Sequence, residues 1–296
     1  MSLLMRLTRT LLRLRSNAFR SEQIVRASLA KSHPGDAPVP RRLQRSCQVS
    51  RSVIDGNAVI TLTPRRGSSG RELLYVHGGA FIHPLVSAHW QIIRQLIRQT
   101  GATVTVPSYG LAPAHTVREA YPFLDKVYRQ VVARAGSRPV YLAGDSAGGG
   151  LCLGLAIRYR DQGERLPAAL FLFSPFLDAT LSNPDIAPIR PLDVMLDVPG
   201  LRWCAQQWAA DWPLTDPRIS PLYDSFAGLP PVFIYQGGHD IFVADAKKLA
   251  ARTQHLPTPV DLHVYPDGFH VFVGATFTPE TRQVFRHIGQ VVRGAT

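Results

Sequence analysis

A glycine-flanked serine between a short apolar run and a small-residue segment is the feature that most constrains this chain. Residues 140–143 are mostly apolar and β-prone, residues 144–148 read Gly-Asp-Ser-Ala-Gly, and a helix-compatible run follows. A strand that turns tightly into a helix holds Ser146 at its tip, and the glycines at 144 and 148 remove side chains that would collide across the turn. The positive end of the helix points at the same place. We interpret Ser146 as an activated nucleophile, although such pentapeptides also occur in ordinary turns.

A base and an acid follow at two later positions of the same kind. Asp240 comes after the apolar run 232–236, and His270 comes after the run 262–265. In a parallel sheet the carboxyl ends of the strands meet at one edge, so groups that follow different strands converge there. The order Ser, Asp, His is one of the known orders of a catalytic triad. The sequence therefore predicts Ser146 as nucleophile, His270 as base and Asp240 as the group that orients the base.

Other acids and histidines compete for these two roles. Asp245 is expected at a helix N-terminus, where a carboxylate is favourable. Asp178 follows the next predicted strand after the Ser146 turn and is expected to shape the pocket floor. The competing histidines are less well placed. His239 adjoins Asp240, His263 falls inside a predicted strand, and His77 belongs to a glycine loop.

The oxyanion site is predicted from the glycine loop after the run 73–76. That loop reads His77-Gly78-Gly79-Ala80, and glycines allow the main chain to approach a substrate and to aim several amides at one point. We expect the amides of Gly78, Gly79 or Ala80 to act with the amide of Ala147.

Strands alternate with helices along most of the chain. Two β-prone runs at 49–54 and 58–63 flank Asp-Gly-Asn and predict a hairpin. Further apolar runs separated by helical patterns predict a mostly parallel central sheet with helices on both faces. The alternation breaks at residues 179–216, which hold three of the four tryptophans. We interpret this insertion as a lid over an apolar pocket, the alternative being a surface insertion with its own small core.

Composition limits the other classes of protein. Residues 1–71 hold 14 of the 33 basic residues and 3 of the 21 acidic ones, so the net charge of +12 is concentrated there. No zinc-finger spacing or RNA-binding aromatic motif accompanies it, and nucleic-acid binding is not expected. No apolar run approaches the roughly 20 residues of a membrane-spanning helix. Three scattered cysteines predict no disulfide framework and no metal cluster, and favour a reducing, cytoplasmic location.

The first 20 residues carry five arginines and no acid. Leucines at 4, 7, 11 and 14 repeat at helical spacing, with Arg6, Arg9 and Arg13 toward the other side. Arginines interrupt every candidate signal-peptide core. The favoured interpretation is a helix that covers part of the active site by packing on a neighbouring apolar surface. A transit peptide or a helix in peripheral contact with an anionic membrane remains the alternative.

From about residue 73 to 290 the chain resembles the α/β-hydrolase esterases of the hormone-sensitive lipase family. The matching stretches lie in the family's order at residues 76–81, 109–113, 144–149, 174–178, 193–197, 237–245 and 268–272. The resemblance implies an α/β-hydrolase fold with a helical cap, the triad named above and no cofactor. It divides the chain into cap helices and linker (1–47), a first core part (48–178), a cap insertion (179–216) and a second core part (217–296).

Three departures from the family pattern stand out. Ala80 replaces the third glycine of the oxyanion loop, where only the amide is needed. Ser108 and Gly110 replace an Asp and an Arg, which removes a structural ion pair. The spacing from Asp240 to Asp245 is one residue longer than the commonest family spacing.

The expected activity is hydrolysis of short-to-medium acyl esters or compact lactones through an acyl-enzyme. The expected partner is a small-molecule ester, and a homodimer is left open. An amide-cleaving deacetylase or formamidase with the same triad, and a non-catalytic ligand-binding protein, are the alternatives. The expected pocket is bordered by apolar and aromatic side chains near the predicted strand ends and in the insertion: Phe81, Tyr109, Met195, Trp203 and Phe242.

Overall fold

Helices and strands alternate through most of the computed structural model, which describes residues 2–14, 17–30 and 35–294. Arg15 and Pro34, the first residue of the linker that the prolines and glycine of residues 34–42 predict, lie outside the described residues. The strands are β1 (Cys47–Ile54), β2 (Asn57–Pro64), β3 (Glu72–Val76), β4 (Thr103–Pro107), β5 (Val140–Asp145), β6 (Ala169–Phe173), β7 (Val232–Gly237) and β8 (Asp261–Tyr265). The helices are α1 (Leu3–Arg13), α2 (Glu22–Ala30), α3 (Arg41–Ser46), α4 (Ser87–Thr100), α5 (Val117–Ala135), α6 (Ser146–Asp161), α7 (Val198–Ala209), α8 (Val243–Thr253) and α9 (Pro279–Arg293).

The described strands form one sheet in the order β1-β2-β4-β3-β5-β6-β7-β8. The hairpin β1–β2 and the pair β2–β4 are antiparallel, and the remaining pairs are parallel. Val76 pairs with Gly144, and Asp145 pairs with Phe173, so these strands end at one edge. The predicted mostly parallel sheet is confirmed, and its carboxyl edge carries the groups discussed below.

Two apolar layers sandwich the sheet. On β3, Leu74 and Val76 point into the layer that contains helices α5, α6 and α8, while Leu73 and Tyr75 point into the layer that contains α4 and α9. This alternation follows from the two-residue period of a strand. Every residue of β3, β4, β5 and β6 is buried, as expected for parallel strands that helices cover on both faces.

The segment before β1 packs against residues 196–200 of the insertion. The amide of Gly200 donates to the carbonyl of Phe19 at 3.0 Å, and the Asn17 side chain donates to the carbonyl of Leu196 at 3.0 Å. Helix α2 lies against α7. The two regions predicted as a cap are therefore in contact with each other.

Helix α1 is oriented differently from the sequence expectation. Its leucine stripe faces solvent, with Leu4, Leu7, Leu11 and Leu14 exposing 44%, 50%, 65% and 80% of their surface. The opposite side makes the contacts, through the fully buried Met5 and an ion pair from Arg9 to Asp267. The expectation that the stripe packs on an apolar neighbour is wrong, because the periodicity locates the stripe but not its partner. No helix among the described residues has the length and apolarity to cross a bilayer.

Candidate active site

The turn between β5 and α6 is strained in the way the sequence suggested. Ser146 is the first residue of α6 and has a φ of 49°, in the left-handed region that side chains rarely adopt. A Cβ atom on Gly148 would lie 2.1 Å from the carbonyl oxygen of Val76, and one on Gly144 would lie 2.6 Å from the carbonyl oxygen of Gly148. Both glycines are therefore required by close approach of the main chain.

The three residues predicted as a triad lie together at the carboxyl edge of the sheet. The Nε2 atom of His270 lies 3.0 Å from the Oγ atom of Ser146. The Nδ1 atom of the same ring lies 2.9 Å from the Oδ2 atom of Asp240. Ser146 and His270 are each 6% exposed, and Asp240 is fully buried. Since a carboxylate only accepts hydrogen bonds, Nδ1 donates and Nε2 presents its lone pair to the hydroxyl.

The carboxylate of Asp240 is held by two further donors. Its Oδ2 atom accepts from the Gln236 side chain at 2.8 Å, and its Oδ1 atom accepts from the amide of Phe242 at 3.0 Å. Phe242 also meets the ring of His270 edge-on, with centroids 5.3 Å apart. The acid and the base are therefore fixed in orientation by their neighbours.

A second buried carboxylate, Asp193, adjoins the triad acid. Its Oδ1 atom accepts from the amides of Met195 and Leu196, and its Oδ2 atom accepts from the amide of Ile241 at 2.9 Å. Burial, followed by the charge of Asp240, raises the pKa of Asp193 to about 6. The sequence identifies residues 193–197 only as a stretch that matches the family, because a role beside Asp240 depends on tertiary contact.

The pKa of His270 is raised above its ordinary value. Burial alone lowers it, but the charge of Asp240 and its hydrogen bond raise it, and Asp193 adds to the rise. A negative neighbourhood of this kind stabilises the imidazolium that forms when the ring accepts a proton.

The glycine loop offers fewer donors than predicted. The amide of Gly78 donates to Asp145 Oδ1 at 3.1 Å, and is thereby removed from the expected oxyanion donors. A Cβ atom there would lie 2.4 Å from Asp145 Oδ2, so this glycine is needed for close packing. Gly79 and Ala80 have φ values of 119° and 52°, and their amides take no acceptor within the described part of the chain. With Ala147 in the first turn of α6, they are the candidate donors.

Asp145, whose role the sequence did not indicate, lies under this loop. It accepts hydrogen bonds from the hydroxyl of Tyr75 at 2.5 Å and from Gly78, and it lies 3.4 Å from His89 Nε2. Burial opposes its ionisation, but His89 and the donors lower the pKa of Asp145 overall. The position between Gly144 and Ser146 could have signalled it, since that carboxylate must face the loop across the turn.

A cavity of about 480 Å³ adjoins Ser146 and His270. Its walls come from the N-terminal segment, the glycine loop, α4, residues 195–201 and the loop that carries His270. Most of the lining side chains are apolar, among them Leu12, Phe19, Ile92, Met195, Leu201 and Phe269. A larger cavity of about 620 Å³ contains none of the triad residues and is lined by several arginines.

Of the five predicted pocket residues, Met195 lines the cavity and four do not. Phe81 stacks on Trp208 at 4.7 Å, and Phe242 stacks on Phe176 at 4.6 Å, so both are packed behind the site. Large aromatic rings in a core find each other, and sequence does not show which wall they form. The residues placed away from the cavity are all buried: Phe81, Tyr109, Trp203 and Phe242.

Comparison with known proteins agrees with this geometry. The family profile for the alpha/beta hydrolase fold matches residues 73–274. An esterase from Acinetobacter venetianus is 30% identical over 231 residues, covering 76% of this chain and 75% of that protein. An acetyl-hydrolase from Streptomyces hygroscopicus is 31% identical over 230 residues, covering 77% of each.

Solved structures extend the likeness to nearly the whole chain. The structure of EstE5 superposes with a TM-score of 0.85 at 25% identity, covering 100% of this chain and 99% of that one. A hormone-sensitive lipase from a metagenome library superposes with a TM-score of 0.84 at 26% identity, covering 99% of each. Fold, strained serine turn and relatives agree: the chain belongs to the α/β-hydrolase fold family, among the ester hydrolases of hormone-sensitive lipase type.

Proposed function

We propose that this protein hydrolyses carboxylic esters through an acyl-enzyme on Ser146, with His270 as general base and Asp240 as its orienting acid. The observation that carries the proposal is the continuous chain of contacts from Asp240 through His270 to the Ser146 hydroxyl, at 2.9 and 3.0 Å, on the wall of an apolar cavity. Both distances are within hydrogen-bond reach, as proton transfer requires.

The reaction proceeds in two balanced halves. Ser146 Oγ attacks the ester carbonyl while its proton passes to His270 Nε2, and the carbonyl oxygen becomes an oxyanion facing the amides of Gly79, Ala80 and Ala147. The intermediate collapses, the carbon–oxygen bond to the alcohol breaks, and the imidazolium protonates the departing alkoxide. Water then attacks the acyl-enzyme, gives a proton to His270, and the returning proton regenerates the serine as the acid leaves.

The cavity supports a preference for short-to-medium acyl groups or compact apolar esters. Its volume of about 480 Å³ is in the usual range for small-molecule sites, and its walls are mostly apolar. Leu12 and Phe19 from the N-terminal segment, with Leu196 and Leu201, form one side of it. We propose that these two regions, within residues 1–47 and 179–216, act together as the cap over the substrate.

Ester rather than amide cleavage is favoured by the relatives, two of which are named an esterase and an acetyl-hydrolase. Turnover of paired ester and amide substrates with the same acyl group tests this directly. A faster amide reaction would reject the ester assignment.

The test of mechanism is hydrolysis of nitrophenyl esters of increasing acyl length by the wild type and by Ser146→Ala. We expect the substitution to lower kcat by a factor on the order of 10⁶. Labelling of the wild type by a fluorophosphonate should disappear in the same variant. Ser68→Ala, at an exposed serine, is the matched control and should behave as the wild type. Ser146→Ala with ordinary turnover would rule out the proposed nucleophile.

A further inference from the structure

The outer face of α1 is an apolar stripe that the described protein does not cover. Five leucines of residues 3–14 expose between 44% and 80% of their surface. Scattered apolar residues are normal on protein surfaces, but a contiguous row indicates a binding surface. The row comprises Leu3, Leu4, Leu7, Leu11 and Leu14, and we call it the leucine stripe.

The stripe does not result from a loosely attached helix. On the inner side, Met5 is fully buried, Arg9 pairs with Asp267 at 3.5 Å, and Leu12 lines the substrate cavity. Ser2 caps the helix and its hydroxyl bonds Glu280 at 2.8 Å. With contacts at both of its ends, the helix is held in an orientation that presents leucines to solvent.

Positive charge borders the stripe. At 100° per residue, Arg6 and Arg13 fall beside the leucines and away from Leu12. Both are exposed, and neither forms an ion pair within the described residues. An apolar face edged by unpaired arginines is the pattern of a helix that lies in the boundary of an anionic lipid layer.

Charge favours a lipid surface over a second copy of the chain as the occupant of the leucine stripe. Two copies meeting through this face would bring their arginines together, and α1 itself carries no acid to neutralise them, which opposes association. A lipid layer would instead meet the leucines with acyl chains and the arginines with phosphates. Since α1 also forms part of the cavity wall through Leu12, a surface that binds the stripe lies beside the entrance to the site.

We propose that α1 docks the protein on anionic phospholipid bilayers, leucine stripe inward, so that the cavity takes apolar esters from the lipid boundary. The delivery of substrate rests on the proposed ester hydrolysis, whereas the docking does not. Docking of this kind is peripheral and reversible, because one short helix buries only its apolar face.

The experiment is co-sedimentation of the full chain with vesicles of phosphatidylcholine alone and with phosphatidylglycerol added. We expect binding to the anionic vesicles, weakened roughly tenfold or more by Leu7→Gln/Leu11→Gln. Glutamine preserves helix propensity and removes only the apolar surface. Arg6→Gln/Arg13→Gln should weaken binding by roughly fivefold per arginine, and added salt should act in the same direction.

Matched controls place comparable changes elsewhere on the surface. Val53→Gln, on the exposed β1–β2 hairpin, should bind as the wild type, and so should Arg45→Gln/Arg51→Gln. All variants should hydrolyse a water-soluble ester at the wild-type rate. The leucine variant should be slower only on an ester embedded in anionic vesicles.

Three results would overturn the docking proposal. The first two are binding without a preference for anionic vesicles and unchanged binding of the leucine variant. The third is a wild type that sediments as a dimer in the absence of vesicles while the leucine variant sediments as a monomer, because the stripe would then join two copies. Ser146→Ala separates this from the proposed function. It should bind vesicles normally and hydrolyse nothing, so hydrolysis by that variant would reject the nucleophile while leaving the docking intact.

Discussion

Two buried acid–histidine pairs flank Ser146. In each, one ring nitrogen faces the acid, and the pairs differ in what the other ring nitrogen contacts. In the first pair, His270 contacts Asp240 through Nδ1 and the serine hydroxyl through Nε2. In the second pair, His89 Nε2 lies 3.4 Å from Asp145, but its Nδ1 accepts from the amide of Val86 at 2.8 Å. The same residue types therefore form the proposed catalytic triad with Ser146 in one place and a support for the glycine loop in the other.

Electrostatics also differs between His270 and His77, a histidine whose ring lies 5.5 Å from that of His89. Acidic neighbours outweigh burial and raise the pKa of His270, which suits a base that must accept a proton. At the start of the glycine loop, burial and then the nearby His89 lower the pKa of His77 to about 4. His77 is therefore neutral near pH 7, and its Nδ1 donates to the carbonyl of Gly78 at 2.7 Å. Residue chemistry alone does not assign a role; the direction of each nitrogen does.

The largest expected difference between the pairs is in turnover. Asp240→Asn should lower kcat by a factor on the order of 10³ to 10⁴, because the amide no longer selects the tautomer that leaves Nε2 free to accept. Steady-state hydrolysis of a nitrophenyl ester measures it. A variant with near-normal kcat would show that His270 needs no acid at this position.

For the second pair, we expect a substitution of the acid to affect stability more than turnover. Asp145→Asn leaves one of its buried donors without an acceptor and should lower the free energy of unfolding by about 3 kcal/mol. Its kcat should fall far less than that of Asp240→Asn. Urea unfolding and ester turnover are measured on both variants. If Asp145→Asn instead matched the kcat loss of Asp240→Asn at unchanged stability, the two pairs would not differ in role.

A third prediction concerns pH. The base must be neutral, so kcat/KM should fall tenfold per pH unit below the pKa of His270. Because that pKa is raised, this acid limb of the profile should lie at a higher pH than for an ordinary histidine. The negative charge of Asp193 stabilises the imidazolium, so Asp193→Asn should move the limb to lower pH by less than about one unit. Asp161→Asn, at an exposed acid, is the control. A limb that moves upward in Asp193→Asn would contradict the assigned sign.

The smallest expected effect is that of His89→Gln. Glutamine can replace one of the two contacts of the ring, so we expect a loss of about 1 kcal/mol in unfolding free energy. The acid limb should stay in place, since His89 does not contact the reacting hydroxyl. If the acid limb of kcat/KM moved in this variant, His89 would be shown to influence the pKa of the proposed base.

Much of the site followed from chain order. Ser146, Asp240 and His270 each come in the loop or turn that follows a strand, and parallel pairing of β5, β6, β7 and β8 brings those strand ends to one edge. The sequence likewise predicts the need for glycine at Gly144 and Gly148, because a strained turn with close main-chain approach tolerates no side chain. Such inferences depend only on local conformation and the handed, regular pairing of strands.

Other features depended on contacts between distant segments. Gly78 was expected to hold an oxyanion, yet its amide is taken by Asp145, a competition that no spacing reveals. Phe81 and Phe242 were expected in the pocket wall and instead lie in the aromatic core. Asp193 acquired a raised pKa only because the fold buries it beside Asp240.

By itself, the sequence determined the alternation of strands and helices, the strained serine and the order of the reacting groups. Tertiary structure alone decided which amides remain free, which side chains line the cavity and which way the leucines of α1 face. The physical reason is range. Periodicity and glycine sterics act between residues a few positions apart, whereas burial, hydrogen-bond competition and electrostatic environment belong to whatever the folded chain brings alongside.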